Sequence, residues 1–151
     1  MMVEKKTLGE VQIRPMGPAD ISSVLEFDKR ISDAQRAVTY DEPYAWDQGG
    51  SLESSFVAEF GNQVVGFILA RIANPGEPIV GEGLIQAIGI DPEYQRKGIA
   101  SRLVDAFLDQ CRSKGIRSTH IIINENDSQL QSLFVSMGFS SGQLIDYTLK
   151  L

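Results

Sequence analysis

The stretch AIGIDPEYQRKGIASRL, residues 87–103, decides how this chain is read. It runs from an apolar segment through a bend at Asp91 and Pro92 into Gln95, Arg96, Lys97 and Gly98. An amphipathic helix follows, with the apolar stripe Ile99, Leu103, Ala106, Phe107 and Cys111. The first N–H groups of a helix lack intrahelical acceptors, and with the helix dipole they favour an anion. Gly98, Ala100 and Ser101 are small enough to let the backbone approach a ligand, while Arg96 and Lys97 add cationic donors. The segment has the chemistry of a pyrophosphate cradle, although a solvated basic turn would carry the same residues. It is not one of the familiar nucleotide loops. The chain has no G-x-x-x-x-G-K-S/T run, and GEGLIQ (81–86) falls within a strand pattern instead of a strand-to-helix turn.

Upstream of this stretch, VQIRP (11–15) alternates like a strand. The next segment has Pro18 and Asp20 in a first helical turn, with Ile21, Val24, Leu25 and Asp28 about one turn apart. Residues 31–51 show no period but carry Tyr40, Tyr44 and Trp46. SSFVAEF (54–60) and VVGFILARI (64–72) flank GNQ as a hairpin, and 81–90 reads as a strand interrupted by Gly83 and Gly89. A glycine in a strand marks a bulge or a close approach by a ligand. Downstream, Lys114-Gly115 ends the helix and STHIIIN (118–124) reads as a buried strand. Leu130, Leu133, Phe134 and Met137 form a helical stripe capped by Asn126 or Asp127, and LIDYTLKL (144–151) closes the chain as an alternating strand. The order predicts an α+β chain, a mixed sheet with helices on both faces, in a single domain over 1–151.

Composition narrows the function. At 151 residues, 42% hydrophobic and 23% charged, the chain is long enough for one well-filled core. No apolar run approaches the roughly 20 residues of a membrane span and MMVEKKTLGE has no signal-peptide core, so the expectation is a cytoplasmic protein with no membrane partner. A net charge of −6 argues against nucleic acid and suits an amine-bearing partner. Cys111, the one cysteine, rules out an intrachain disulfide or thiolate cluster and falls at a core position; no metal site is expected. The one histidine, His120, begins an apolar strand and reads as structural.

Residues 88–103 resemble motif A of the GCN5-related N-acetyltransferase (GNAT) family, with signature Gln/Arg-x-x-Gly-x-Gly/Ala. Gln95 or Arg96, Gly98 and Ala100 occupy that pattern. VQIRPMGPADISSVLEFD is similar to the family's first strand and helix, and NENDSQLQSLFVSMGF to its segment from the fifth strand through the last helix. The resemblance implies a mostly antiparallel sheet splayed between its fourth and fifth strands. It also implies acetyl-CoA as cofactor and direct acetyl transfer to a primary amine, a small cationic molecule or a peptide N-terminus, in a ternary complex. Ile88, Gly89 and Ile90 would then pair with the pantetheine arm, with a splay or bulge at Gly89. Gln95, Arg96, Lys97, Gly98, Ile99, Ala100 and Ser101 would hold the pyrophosphate, while Asn124, Asp127 and Phe134 would line the other side. The Ile90 N–H would polarise the thioester carbonyl.

An ammonium with a pKa near 10 must lose a proton before it attacks. Glu82 is the candidate base, because strict alternation puts it on one side of its strand with Leu84, Gln86 and Ile88. Gln86 can order a water but cannot accept the proton. Tyr40, Tyr44 and Trp46 are the candidate substrate wall. The family's usual proton-donating tyrosine falls on Phe134, which has no proton to give, so Tyr147, Tyr94 or water would replace it. The same departure motivates an alternative, a non-catalytic acyl-CoA sensor. LIDYTLKL is also a candidate for pairing between the subunits of a homodimer.

Overall fold

The structure is a computed structural model that describes residues 10–31, 53–73, 75–76 and 78–151. Five strands form one sheet in chain order: β1 (Val11–Pro15), β2 (Phe56–Phe60), β3 (Gln63–Ile72), β4 (Gly83–Ile90) and β5 (Thr119–Ile121). The first three pairings are antiparallel and β4–β5 is parallel. The helices are α1 (Ile21–Ile31), α2 (Ile99–Ser113) and α3 (Ser128–Ser136). No helix among the described residues is long and apolar enough to cross a membrane.

Two apolar clusters cover the two faces of the sheet. On the α2 side, Leu103, Val104 and Phe107 pack with Ile68, Ile85, Ile88, Ile90 and Phe134. On the α1 side, Val24 and Phe27 pack with Val57, Phe67, Leu69 and Ala87. There Phe27 meets Phe67 edge-on at 5.9 Å, a geometry that adds about 1 kcal/mol to the area buried. The expected α+β architecture with helices on both faces is what forms.

Local chemistry sets the boundaries. Gly61, at φ 62°, and Asn62 make the turn between β2 and β3. At the end of α2, Gly115 turns left-handed (φ 75°). Its N–H donates to the Arg112 carbonyl and the Ile116 N–H to the Cys111 carbonyl, satisfying the last open acceptors of the helix. Gly138 ends α3 in the same way. The Phe139 N–H reaches the Phe134 carbonyl, and the two rings stack edge-on at 5.0 Å. Gly83 is required by packing: a Cβ there would meet Phe107 at 3.0 Å, Cys111 Sγ at 3.1 Å and the Thr119 hydroxyl closer still.

The start of the fold is held by an ionic clamp. Arg14 on β1 grips both Asp20 oxygens at 2.8 Å and Glu59 on β2 at 3.1 Å, while Asp20 also accepts the Gly17 N–H. The Arg14 hydrogen bonds, helped by Gly17, hold the Asp20 carboxyl below its ordinary pKa. A depressed carboxylate stabilises the fold above its unfolded pKa, near 3.9, and loses that contribution as pH falls through the folded value. Asp20→Asn is therefore expected to cost about 1–2 kcal/mol at neutral pH. In urea denaturation against pH, the gap to wild type should close only in acid; a gap constant down to pH 3 would refute the clamp.

Two segments differ from their sequence-based reading. The expected strand over 118–124 is three residues long, and 144–151 forms no strand and is exposed. The alternation in the last segment is real, but among the described residues no strand pairs with it. The irregular stretch with Tyr40, Tyr44 and Trp46 lies outside the described residues.

Candidate active site

The site starts from a fault in β4. Leu69 pairs with Ala87 and Ala70 with Ile85, so Gln86 is an extra residue with no partner on β3. Packing shows the consequence: Ile85, Ile88 and Ile90 all join the α2-side core, while Ala87 joins the α1 side. The bulge thus lies at Gln86 and not at Gly89, which pairs in register with Phe67. Strict alternation from 82 to 88 is broken, and with it the ground for placing Glu82 on the same side as Ile88.

Past the bulge β4 has an open edge. Its pairing with β5 covers only Gly83 to Ile85, and among the described residues no strand borders 88–90 on that side. The Asp91 N–H donates to the Val65 carbonyl on β3 at 2.8 Å. Antiparallel alternation then turns the N–H and C=O groups of Ile88 and Ile90 away from β3 toward the open edge. The Gln95 side chain uses one of these acceptors, donating to the Ile90 carbonyl at 3.2 Å.

Beyond Ile90 the chain makes a 3₁₀ turn at Pro92–Tyr94, started by the Asp91 carboxylate accepting the Glu93 N–H. Two left-handed residues follow, Arg96 at φ 64° and Gly98 at φ 82°. Arg96 is the one non-glycine residue in that region among the described residues, a conformation that costs of order 1 kcal/mol. Gly98 is the N-cap of α2 and offers no side-chain acceptor, so the first N–H groups of the helix stay open. Left-handed residues alternating with ordinary ones turn successive N–H groups into a concave anion nest.

These parts enclose a cavity of about 490 Å³ lined by β4, the 94–101 loop and helix start, and the start of α3. Of the residues expected to hold a cofactor, Ile88, Gly89, Ile90, Gln95, Arg96, Gly98, Ile99, Ala100, Ser101 and Asp127 line it together. Asp127 spends one oxygen on capping α3, accepting the Leu130 N–H at 3.0 Å. Lys97 is exposed beside the rim, and Asn124 accepts the Asn126 N–H at 2.8 Å; neither is in the lining. Phe134 is buried against Phe139 in the core and is not in the lining.

Sequence reasoning did not place Gln129, Leu130 and Leu133 in the lining. The two leucines look like any core stripe, and Gln129 carries no signal. Tyr94 also lines the cavity, buried against Phe60, whereas Tyr147 is exposed in the last segment.

Glu82 is at the other end of β4. It directly precedes β4 and is not in the cavity lining, which meets that strand at Ile88 to Ile90. Its carboxylate lies 2.5 Å from His120 Nε2 across the β4–β5 pairing, and that bond holds its pKa below the ordinary glutamate value. The structure thus places Glu82 beside His120 and apart from the residues expected to hold the cofactor. Cys111 is buried beneath Gly83, and burial pushes its thiol up, which leaves no nucleophilic role for it. Among the described residues no group of three or more His, Cys, Asp and Glu side chains could hold a metal.

Comparison with known proteins bears on the fold and the family. The ribosomal protein bS18-alanine N-acetyltransferase of Escherichia coli is 21% identical over 97 residues, covering 61% of this chain and 66% of that enzyme. The mycothiol acetyltransferase of Nocardioides sp. is 27% identical over 105 residues, covering 66% of this chain and 35% of that protein. The chain thus spans about two thirds of the first relative's length and about a third of the second's. Among solved structures, the aminoglycoside N-acetyltransferase AAC(6')-Iy in complex with CoA superposes with a TM-score of 0.74 at 18% identity, covering 99% of both chains. Ard1 from Thermoplasma volcanium superposes at 0.72 with 24% identity, covering 89% of this chain and 85% of that one. The model of the acetyltransferase (GNAT) family matches residues 21–139, and the chain belongs to that family.

Proposed function

We propose that this protein transfers the acetyl group of acetyl-CoA to a primary amine by direct attack in a ternary complex. One observation carries the reading: the unpaired edge of β4 at Ile88 and Ile90 opens into the same cavity as the N-terminal nest of α2. The donor set fits a coenzyme A, with backbone groups for an extended amide-bearing arm and a helix start with Arg96 and Lys97 for a pyrophosphate. When bound, acetyl-CoA supplies an acetyl thioester already activated toward amines.

The chain's own residues then have distinct tasks. Ile90 directs its N–H at the carbonyl oxygen, where negative charge builds up, and a fixed donor there acts without reorganising. The buried Oε1 of Gln86 has no hydrogen-bond partner and is an acceptor for the water that takes the amine's proton toward solvent. Tyr94 supplies the hydroxyl for the departing thiolate, the task that Phe134 cannot perform. The acceptor is a small cationic amine or a peptide N-terminus, in keeping with the net charge of −6 and with the alanine and aminoglycoside acceptors in the relatives' names. Tyr40, Tyr44 and Trp46 remain the proposed acceptor wall, and the protein is proposed to work in the cytoplasm.

Glu82→Gln is expected to change kcat/KM less than about threefold, because that carboxylate is bonded to His120 and lies outside the cavity lining. A fall beyond about tenfold, with the alkaline rise of the rate abolished, would restore Glu82 as the base.

Free-thiol release from acetyl-CoA over polyamines, aminoglycosides, amino acids and short peptides tests the reading, with the cofactor-induced melting shift measured alongside. Amine-dependent release is expected. A melting shift without release from any amine would favour the second reading, a non-catalytic acyl-CoA sensor, which rests on Phe134 being core where the family's tyrosine donates a proton.

A further inference from the structure

We propose that Gly66 on β3 is a positioning residue for the acetyl transfer: having no side chain, it lets the Gly89–Ile90 peptide lie close against β3 and so sets the direction of the Ile90 N–H. The inference rests on the role proposed above for that N–H. Gly66 is buried within the sheet, opposite Ala58 on β2 and Ile90 on β4. Glycine weakens a strand interior because it has no side chain to pack, and there it marks a place where another backbone comes close.

Ile90 is that neighbour. Its N–H and C=O turn away from β3, so Gly66 and Ile90 face each other as a pair that exchanges no hydrogen bond, the kind in which opposed Cα atoms are only about 4.5 Å apart. A Cβ at position 66 would meet Ile90 Cδ1 at 3.0 Å, the Gly89 carbonyl oxygen at 3.3 Å and Leu103 Cδ1 at 3.4 Å. All three are closer than the roughly 3.5–4.0 Å of a relaxed non-bonded contact. Ile90 itself fills the room that a side chain at 66 would take, and Leu103, fully buried on α2, closes it from the other side.

The contact with the Gly89 oxygen bears on the chemistry. That oxygen and the Ile90 N–H belong to one planar trans peptide and point in opposite directions across it, so a push on the oxygen rotates the N–H with it. The next peptide is held at both ends: its carbonyl, of Ile90, accepts Gln95 Nε2 at 3.2 Å, and its N–H, of Asp91, donates to the Val65 carbonyl at 2.8 Å. The strand therefore does not yield by sliding as a whole, and a methyl group added at 66 is taken up as rotation of the peptide before it. A donor fixed in advance stabilises a developing oxyanion only while it is aimed at that oxygen.

Gly66→Ala in the full chain tests this by amide NMR and by kinetics. The Ile90 amide resonance is expected to shift while those of residues 98–101 stay in place. For amine-dependent thiol release, kcat should fall at least about tenfold, with KM for acetyl-CoA and Kd for CoA within about threefold of wild type. A lower melting temperature with kcat of the folded protein unchanged, or an unmoved Ile90 amide, would overturn the proposal while the transferase reading stands. No thiol release by the wild-type chain from any amine would instead remove the transferase reading and this inference with it. If Gly66→Ala does not fold, the comparison is made in Ile90→Val, which lacks the Cδ1 atom met at 3.0 Å and keeps the contact with the Gly89 oxygen. Adding Gly66→Ala to Ile90→Val should then lower kcat at least about tenfold, and equal rates would overturn the proposal.

Discussion

Gly98→Asp is expected to abolish saturable CoA binding in calorimetric titration while leaving the fold intact. Gly98 has φ 82° at the N-cap of α2 and lines the cavity. An aspartate there must adopt a left-handed backbone, which costs of order 1 kcal/mol. Its carboxylate would also accept the free N–H groups of the first turn, as N-cap aspartates commonly do. The nest would then be filled by the protein's own anion, and a pyrophosphate would face both a lost donor set and like charge. The two effects together correspond to a loss of at least about a hundredfold in affinity. Gly98→Ala carries the strain without the charge and is expected to bind weakly but measurably. Micromolar affinity retained in Gly98→Asp would mean that the anion binds elsewhere.

Phe134→Ala is expected to give the largest loss of stability, about 3–5 kcal/mol in urea denaturation. The ring is among the most completely buried in the chain and closes the core between α3 and the sheet. It also stacks on Phe139, the residue that follows the Gly138 cap, so its removal loosens the end of α3 as well as leaving a cavity. The variant separates the two readings of this position. A core residue lowers stability sharply, with CoA affinity changing little while the protein is folded. A cofactor-lining residue would lower affinity at modest cost in stability.

Much of the fold was legible because the signals were local. The β2–β3 hairpin followed from two alternating runs around Gly61 and Asn62, and α2 from an apolar stripe bounded by Gly98 and Gly115. That residues of 95–101 line one cavity was legible for the same reason, since a helix start with small and basic residues is contiguous in sequence. What failed depended on pairing. The bulge was expected at Gly89 because glycine invites one, yet the extra residue is Gln86, which only the register with Leu69 and Ala70 reveals. That shift alone removed Glu82 from the side assigned to it. The Glu82–His120 bond joins residues 38 apart, and no pattern within either segment announces it. Phe134 was ambiguous because its spacing suits both a core stripe and a cavity wall. The alternation of 144–151 predicted a strand that does not form, because a pattern states a propensity and does not supply the strand's partner.

The central claim is that one cleft, the open edge of β4 together with the start of α2, receives the cofactor. Hydrogen-exchange mass spectrometry of the full chain with and without CoA tests it most directly. Added protection is expected in peptides containing Ile88 and Ile90 and those spanning residues 98–101, with the amides of β1 and α1 unchanged. CoA that raises the melting temperature while exchange at residues 88–101 stays the same would contradict the account.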